Sequence, residues 1–153
     1  MFDEMRTALE EAIGAGARIE PSGSDPKYRV GLAEVRRLID AVEAEYGRLA
    51  APVDVSWMAQ ATGSTVQRAK HHATVGAAMD ASPVLAEAVR AGEVALENVA
   101  VLSAVASHPE FDTSTLVDAA SVLNPPKLRA EVEQWSTLSP TTLTPVRVIG
   151  AGR

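Results

Sequence analysis

Apolar residues recur at helical spacing through the first third of the chain. They predict an amphipathic helix over residues 2–13 and a longer one from Val30 to Ala50. The apolar stripe of the longer helix consists of Leu32, Val35, Leu38, Ile39, Val42, Tyr46 and Leu49. Its spacing is close to a heptad repeat, which fits a core face or a dimer seam, and we expect a core face. Residues 14–27, rich in Gly, Ser and Pro, predict a connecting loop.

Capping residues and glycines mark the ends of three helices between residues 55 and 102. Gly63 is expected to end the first helix in a left-handed conformation. Ser64 or Thr65 then caps a second helix that runs to about Met79. The third helix is marked by a cap, a proline at its first position and a closing glycine, which are Ser82, Pro83 and Gly92. A short helix, a glycine turn and a longer helix are the parts of a helix-turn-helix.

Three further helices are predicted in the last third of the chain. They cover Glu93 to Ser107, a short segment around Leu116 that Thr113 or Ser114 caps, and Lys127 to Thr137. From Leu138 the composition changes to Ser, Thr, Pro and Gly, which predicts an extended or disordered tail. The predicted organisation is therefore an N-terminal helix and loop over residues 1–29, a helical domain over 30–138 and a tail over 139–153.

The composition favours helix throughout. The chain has 27 alanines, and alanine loses the least side-chain entropy in a helix. Only 4% of the residues are aromatic, so the core should consist of small aliphatic side chains. We expect an all-α bundle of about six to eight short helices that contains a helix-turn-helix-like unit.

Charge and cysteine content exclude several classes of function. The net charge of −6 is divided evenly between residues 1–50 and 51–153, so any contact with DNA must be local. Without cysteine the chain has no disulfide, thiolate nucleophile or cysteine-based zinc site. No apolar run spans a bilayer and the start lacks a signal sequence, so we expect a cytoplasmic protein without membrane contact. No cofactor or small-molecule substrate is indicated.

The helix after Gly63 carries the candidate DNA-binding residues. The 100° helical step predicts an inward face made of Val66, Ala69, Ala73 and Ala77. The residues predicted to face outward are Gln67, Arg68, His71 and Thr74, and Lys70 is a candidate phosphate contact. Gln and Arg at the start of such a helix are the residue types that pair with adenine and guanine edges. The alternative is a solvated helix face without a partner.

The remaining polar residues predict no metal site and no catalytic site. His71 and His72 are adjacent, so their rings point about 100° apart and do not readily share a metal. His108 precedes a proline in a predicted loop. The carboxylates Asp54 and Asp80 lie at probable caps and turns, as does Glu93, and no nucleophile with a neighbouring base is evident.

The joint spacing of these motifs resembles the helical domain of unknown function 222, the 13E12-repeat family of actinobacterial proteins. The matching segments are Trp57-Met58-Ala59, Thr62-Gly63, the helix to Met79, Ser82-Pro83, Ala91-Gly92-Glu93, Pro125-Pro126-Lys127-Leu128-Arg129 and Trp135. The chain departs from the pattern at Lys70-His71-His72, where arginines are commoner, and at Gly76, where alanine is usual. The spacing is also similar to the helix-turn-helix of ParB-like partition proteins.

The resemblance implies a DNA-associated, mobile-element or phage-related protein, because this domain usually precedes an HNH endonuclease domain. The nuclease motif is missing, so we expect a module truncated or split from its nuclease and without catalytic activity of its own. Two classes of function stay open. One is a DNA-binding or DNA-positioning module, and the other is a helical protein-interaction or dimerisation module without DNA contact. The corresponding partners are DNA, a second copy of the chain or a separate nuclease subunit.

Overall fold

The computed structural model describes residues 1–138, which form eight α-helices and no strand. The helices are α1 (Asp3–Ala17), α2 (Pro26–Ala50), α3 (Val55–Thr62), α4 (Val66–Ala81), α5 (Pro83–Arg90), α6 (Leu96–Leu102), α7 (Leu116–Ala120) and α8 (Pro125–Leu138). The prediction of an all-α fold is confirmed. The predicted tail, residues 139–153, lies outside the described residues.

The chain divides into two compact units, and the division falls after Ala33, within α2. In the first unit, α1 has no buried residue and continues through Gly14, so the prediction that it ends there is wrong. Gly14 and Gly16 have no positive φ, and glycine in an ordinary helical conformation weakens a helix without ending it. α2 begins at Pro26, earlier than Val30, because its first turn accepts proline and the Asp25 carboxylate accepts from the Lys27 backbone N–H.

The second unit is a helical bundle around a core of small aliphatic side chains. α4 packs on α3, α5 and α6, and α6 also packs on α7 and α8. The largest fully buried side chains are Val75, Leu85, Val89, Val94, Val99, Leu102, Phe111 and Leu128. Phe111 is the aromatic member of this set, and it lies in the turns between α6 and α7.

Those turns replace the last third of the helix predicted from Glu93 to Ser107, since α6 runs from Leu96 to Leu102. The buried Asn98 amide donates to the carbonyl oxygens of Ala120 and Leu123, at 3.0 and 2.8 Å, and so ties α6 to the end of α7. The start of α7 is also supported by a serine, because Ser114 Oγ accepts from the Leu116 N–H.

The face of α2 that packs on the bundle is opposite to the predicted face. Its buried residues are Asp40, Ala44 and Gly47. Its apolar residues Val35, Leu38, Ile39, Val42 and Leu49, here called the α2 stripe, are all exposed, so the expected core face is wrong.

The cause is a close crossing of α2 and α4 at two glycines. A Cβ built on Gly76 would fall on the carbonyl oxygen of Gly47, and one built on Gly47 would fall on the carbonyl oxygen of His72. Only residues without a side chain allow the two backbones to approach this closely. The crossing therefore determines which face of each helix is buried.

We predict that Gly76→Ala lowers the free energy of unfolding by about 1–3 kcal/mol, the usual cost of overpacking a tight contact. Alanine has a higher helix propensity than glycine, and propensity alone would stabilise α4. A loss of stability would therefore report the steric overlap at the crossing. Gly31→Ala in α2 is the control, since a Cβ there meets nothing within 4 Å. Urea unfolding should show Gly31→Ala as neutral or stabilised, and equal stability of both variants would contradict the crossing.

Candidate nucleic-acid interface

A three-residue turn joins α3 to α4, and each of its ends is held by a defined cap. Gly63 has φ 67° and ends α3, with the Ser64 N–H donating to the Ala59 carbonyl oxygen at 2.9 Å. Thr65 Oγ1 accepts from the Arg68 N–H at 3.0 Å and caps α4. At the other end of α3, the Asp54 carboxylate accepts from the Trp57 N–H. The turn and the first residues of α4 are thus positioned by local hydrogen bonds.

The buried face of α4 differs from the predicted one. It consists of His72, Val75, Gly76, Ala78 and Met79. Of the residues predicted to face inward, Val66 and Ala77 are exposed, and Ala69 and Ala73 are only partly buried. The helix is rotated by about one residue, because Gly76 must face α2 at the crossing and alanine fits either face.

The candidate residues divide into an outward row and a flank. Gln67, Lys70 and Thr74 are exposed and follow each other at spacings of three and four, which places them on one side of α4. The Thr74 hydroxyl donates to the Lys70 carbonyl oxygen at 3.0 Å. Arg68 lies on the flank with its side chain 65% exposed, and His71 is half-buried. The structure thus brings three of the five candidates onto one open face.

The acidic residue nearest to this face is on α2. The Glu43 carboxylate lies 3.9 Å from Arg68 Nη2, 4.0 Å from Arg36 Nη2 and 2.8 Å from His72 Nε2. The ring of Tyr46 meets His72 edge-on, with centroids 5.3 Å apart. Two basic side chains and a histidine therefore share one carboxylate. The sequence did not indicate this pairing, because Glu43 precedes His72 by 29 residues.

The other predicted turn and cap residues bond to the protein's own groups. Ser82 is fully buried; its hydroxyl accepts from the Leu85 N–H at 3.0 Å and donates to the Asp112 carboxylate. Pro83 occupies the first turn of α5. Gly92 has φ 77° and follows the end of α5. These residues shape the ends of α5.

A second ion-pair cluster joins α2 to α5. Glu45 accepts from Arg90 Nε and Nη2, at 2.6 and 3.1 Å, and from Arg48 within α2. The hydrogen bonds from Arg90 are the main reason that the pKa of Glu45 falls from 4.5 to about 2, with Arg48 adding to the effect and burial opposing it. The same contact raises the pKa of Arg90.

Within residues 1–138 no three His, Asp or Glu side chains are grouped so that they could hold a metal ion. Among the described helices, none has the length and apolarity needed to cross a membrane. No family model, curated protein or solved structure matches the chain.

The Glu45 cluster predicts a particular acid sensitivity. Because the pKa of Glu45 is lowered in the folded state, its stabilisation is present above pH 4.5 and is lost as the pH falls towards 2. Glu45→Gln should lower the free energy of unfolding near neutral pH by about 1 kcal/mol, since Arg90 is half exposed and screened. Between pH 4.5 and 2 the free energy of unfolding should fall less in Glu45→Gln than in the wild type, because the variant has no carboxylate at this position to protonate.

Urea unfolding at a series of pH values measures both effects. The control is Glu133→Gln, which changes an exposed carboxylate on α8. If the Glu45→Gln and wild-type curves stay parallel down to pH 2, the assigned role of the Glu45–Arg90 pair is wrong.

Proposed function

We propose that the helical bundle is a non-catalytic DNA-binding or DNA-positioning module whose contact surface is the outward row of α4. The observation that carries this proposal is the shared open face of Gln67, Lys70 and Thr74 at the start of a helix that follows a three-residue turn. A glutamine amide suits an adenine edge, and a lysine ammonium suits a phosphate. Arg68, on the flank, is the candidate for a guanine contact.

Local charge supports the proposal more than total charge does. Residues 34–138 contain fourteen acidic and eight basic side chains, which disfavours non-specific DNA binding. From Val66 to Met79, however, α4 has Arg68, Lys70 and two histidines and no acidic residue. Although Glu43 lies near Arg68, the exposure of that side chain leaves its guanidinium free to turn towards a nucleic acid. A contact confined to this short segment should be weak and salt-dependent.

The motif spacing supplies the proposed biological setting. Its resemblance to the 13E12-repeat domain supports a role beside an HNH endonuclease in a mobile-element or phage-related system. In this proposal the bundle positions DNA, and the nuclease belongs to a separate subunit or a separate part of the protein.

A second candidate is a helical protein-interaction module that makes no DNA contact. The observation that favours it is the α2 stripe, an exposed apolar face on a helix that buries polar residues. Exposed apolar surface of this kind marks interaction sites. The two candidates concern different helices, so separate variants distinguish them.

The DNA proposal predicts different effects for two neighbouring cations. After selection of a preferred duplex from a random pool, Arg68→Ala should weaken specific binding by about 1–3 kcal/mol, the cost of one lost base contact. Lys70→Ala should weaken binding to all duplexes similarly and lower the salt slope by about one, as a lost phosphate contact does. Fluorescence anisotropy of labelled duplexes over a salt series measures both.

Lys127→Ala provides the matched control, because Lys127 is an exposed lysine on α8. It should leave both affinity and salt slope unchanged. If wild-type protein shows no binding at low salt, or if Lys127→Ala acts like Lys70→Ala, the outward row of α4 is only a solvated surface. The interaction-module candidate would then be the better one.

The proposed lack of catalysis predicts that supercoiled plasmid stays intact with the purified chain and Mg²⁺, Mn²⁺ or Zn²⁺. Agarose gels measure nicking directly, and an unrelated HNH nuclease supplies the positive control. Metal-dependent nicking by the chain would contradict the non-catalytic assignment. Loss of that nicking in a His71→Ala/His72→Ala/His108→Ala variant would also contradict our interpretation of the histidines.

A further inference from the structure

Four residues of the α2 stripe follow a heptad repeat, with Ile39 at position a and Val35, Val42 and Leu49 at position d. Tyr46 occupies the next position a, and these five residues are here called the seam. The residues that α2 buries against the bundle, Asp40, Ala44 and Gly47, then fall at positions b and f, on the opposite side. One face of α2 is thus committed to its own bundle, and the seam faces away from it except at Tyr46, which contacts His72 on α4.

The seam is well exposed at its centre. Val35 is 49% exposed, Ile39 47% and the neighbouring Leu38 54%, whereas an apolar core face is normally covered. Val42 and Leu49 are exposed to a lesser degree, and Tyr46 is half-buried beside His72. From Val35 to Leu49 the seam extends about 21 Å at 1.5 Å per residue.

We propose that the α2 stripe pairs antiparallel with the α2 stripe of a second copy of this chain. In an antiparallel pair each a residue faces a d residue of the partner helix. The register that places Ile39 opposite Val42 of the second copy also places Val35 opposite Tyr46. These four positions therefore have apolar or aromatic counterparts, and each contact occurs twice about the two-fold axis.

Charge favours this direction over a parallel pair. Positions e on either side of the centre are Arg36 and Glu43. Within each chain Arg36 donates to Asp40 and Glu43 contacts His72, and the side chains of Arg36 and Glu43 stay 57% and 26% exposed. In the antiparallel register Arg36 of one copy lies beside Glu43 of the other, so two further contacts between opposite charges flank the apolar centre. In a parallel pair the e and g positions would instead bring the apolar Leu38 beside Glu43. The charged positions beside the seam are thus complementary between two α2 helices that run antiparallel.

The bundle also removes a cost of pairing. An isolated helix of this length is marginal in water, and a short coiled coil must order its helices as it forms. Here hydrogen bonds from the other face of α2 hold the helix in place: Asp40 accepts from the Leu96 N–H at 3.0 Å, and Arg37 donates to the Glu93 carbonyl oxygen at 2.9 Å. Because α2 is already ordered, less of the free energy gained from contacts at the seam is lost to ordering the helix. The pairing does not depend on DNA contact by α4.

Sedimentation equilibrium of the full chain, without DNA, tests the pairing over a range of micromolar concentrations. The wild type should form a dimer, and Ile39→Glu should raise the dimer dissociation constant at least about tenfold, since it places two carboxylates at the centre of the seam. Val122→Glu is the matched control, because Val122 is 80% exposed and lies off the stripe. Circular dichroism should show the same helix content in all three proteins.

Cysteine cross-linking tests the direction, because the chain has no cysteine of its own. A mixture of Val35→Cys and Tyr46→Cys chains should form a mixed disulfide under mild oxidation. Each variant alone should not, since identical positions lie about 17 Å apart along the antiparallel axis and disulfide formation needs Cα atoms within about 7 Å. A monomeric wild type, a dimer unaffected by Ile39→Glu, or cross-linking of either single variant alone would each overturn the proposal.

Discussion

The close crossing of α2 and α4 at Gly47 and Gly76 is the constraint on which the rest of the bundle depends. Because neither helix carries a side chain at the contact, the two backbones meet directly and each helix has only one rotation that satisfies the crossing. For α4 this rotation buries Val75 and Met79 and leaves Lys70 outward. For α2 it turns a largely polar face inward. The exposed surfaces of both helices are consequences of one contact.

The polar face of α2 is accommodated because its carboxylates each serve another helix. Asp40 accepts from the backbone at the start of α6, Glu43 contacts His72 on α4, and Glu45 binds Arg90 on α5. Acceptors at a helix start satisfy N–H groups that have no partner within the helix. A buried acidic residue is costly when it is alone, and here each has a donor. The interface thus uses charge where a typical bundle helix uses apolar area.

Sequence reasoning located helix ends better than helix faces. The end of α3 and the starts of α4 and α5 depend on local caps and on Gly63, and such signals lie within a few residues of the structure that they determine. The extended start of α2 could also have been found, because Asp25 before Pro26 is a capping pattern.

Faces depend on contacts between distant segments. On α4 the alanines fit an inward or an outward position equally well, so their spacing gave a face that is off by about one residue. On α2 a periodicity close to a heptad repeat marked the face turned away from the core. Gly47 and Gly76 were the residues that decided both cases, and a lone glycine inside a helical pattern does not reveal which backbone approaches it. The pairing of Glu43 with His72 was hidden for the same reason.

The polar character of the α2–bundle interface has a consequence for how the molecule loosens. Ala44 is the fully buried apolar side chain that the helix contributes, so separating α2 from the other helices would hydrate little hydrocarbon. Local opening of this kind involves a small change in heat capacity, whereas unfolding of the aliphatic core involves a large one. Ion pairs, unlike hydrocarbon contacts, weaken as salt is added. Amide hydrogen exchange in α2 should therefore respond to ionic strength and little to cold, and exchange in α5 and α6 should show the reverse.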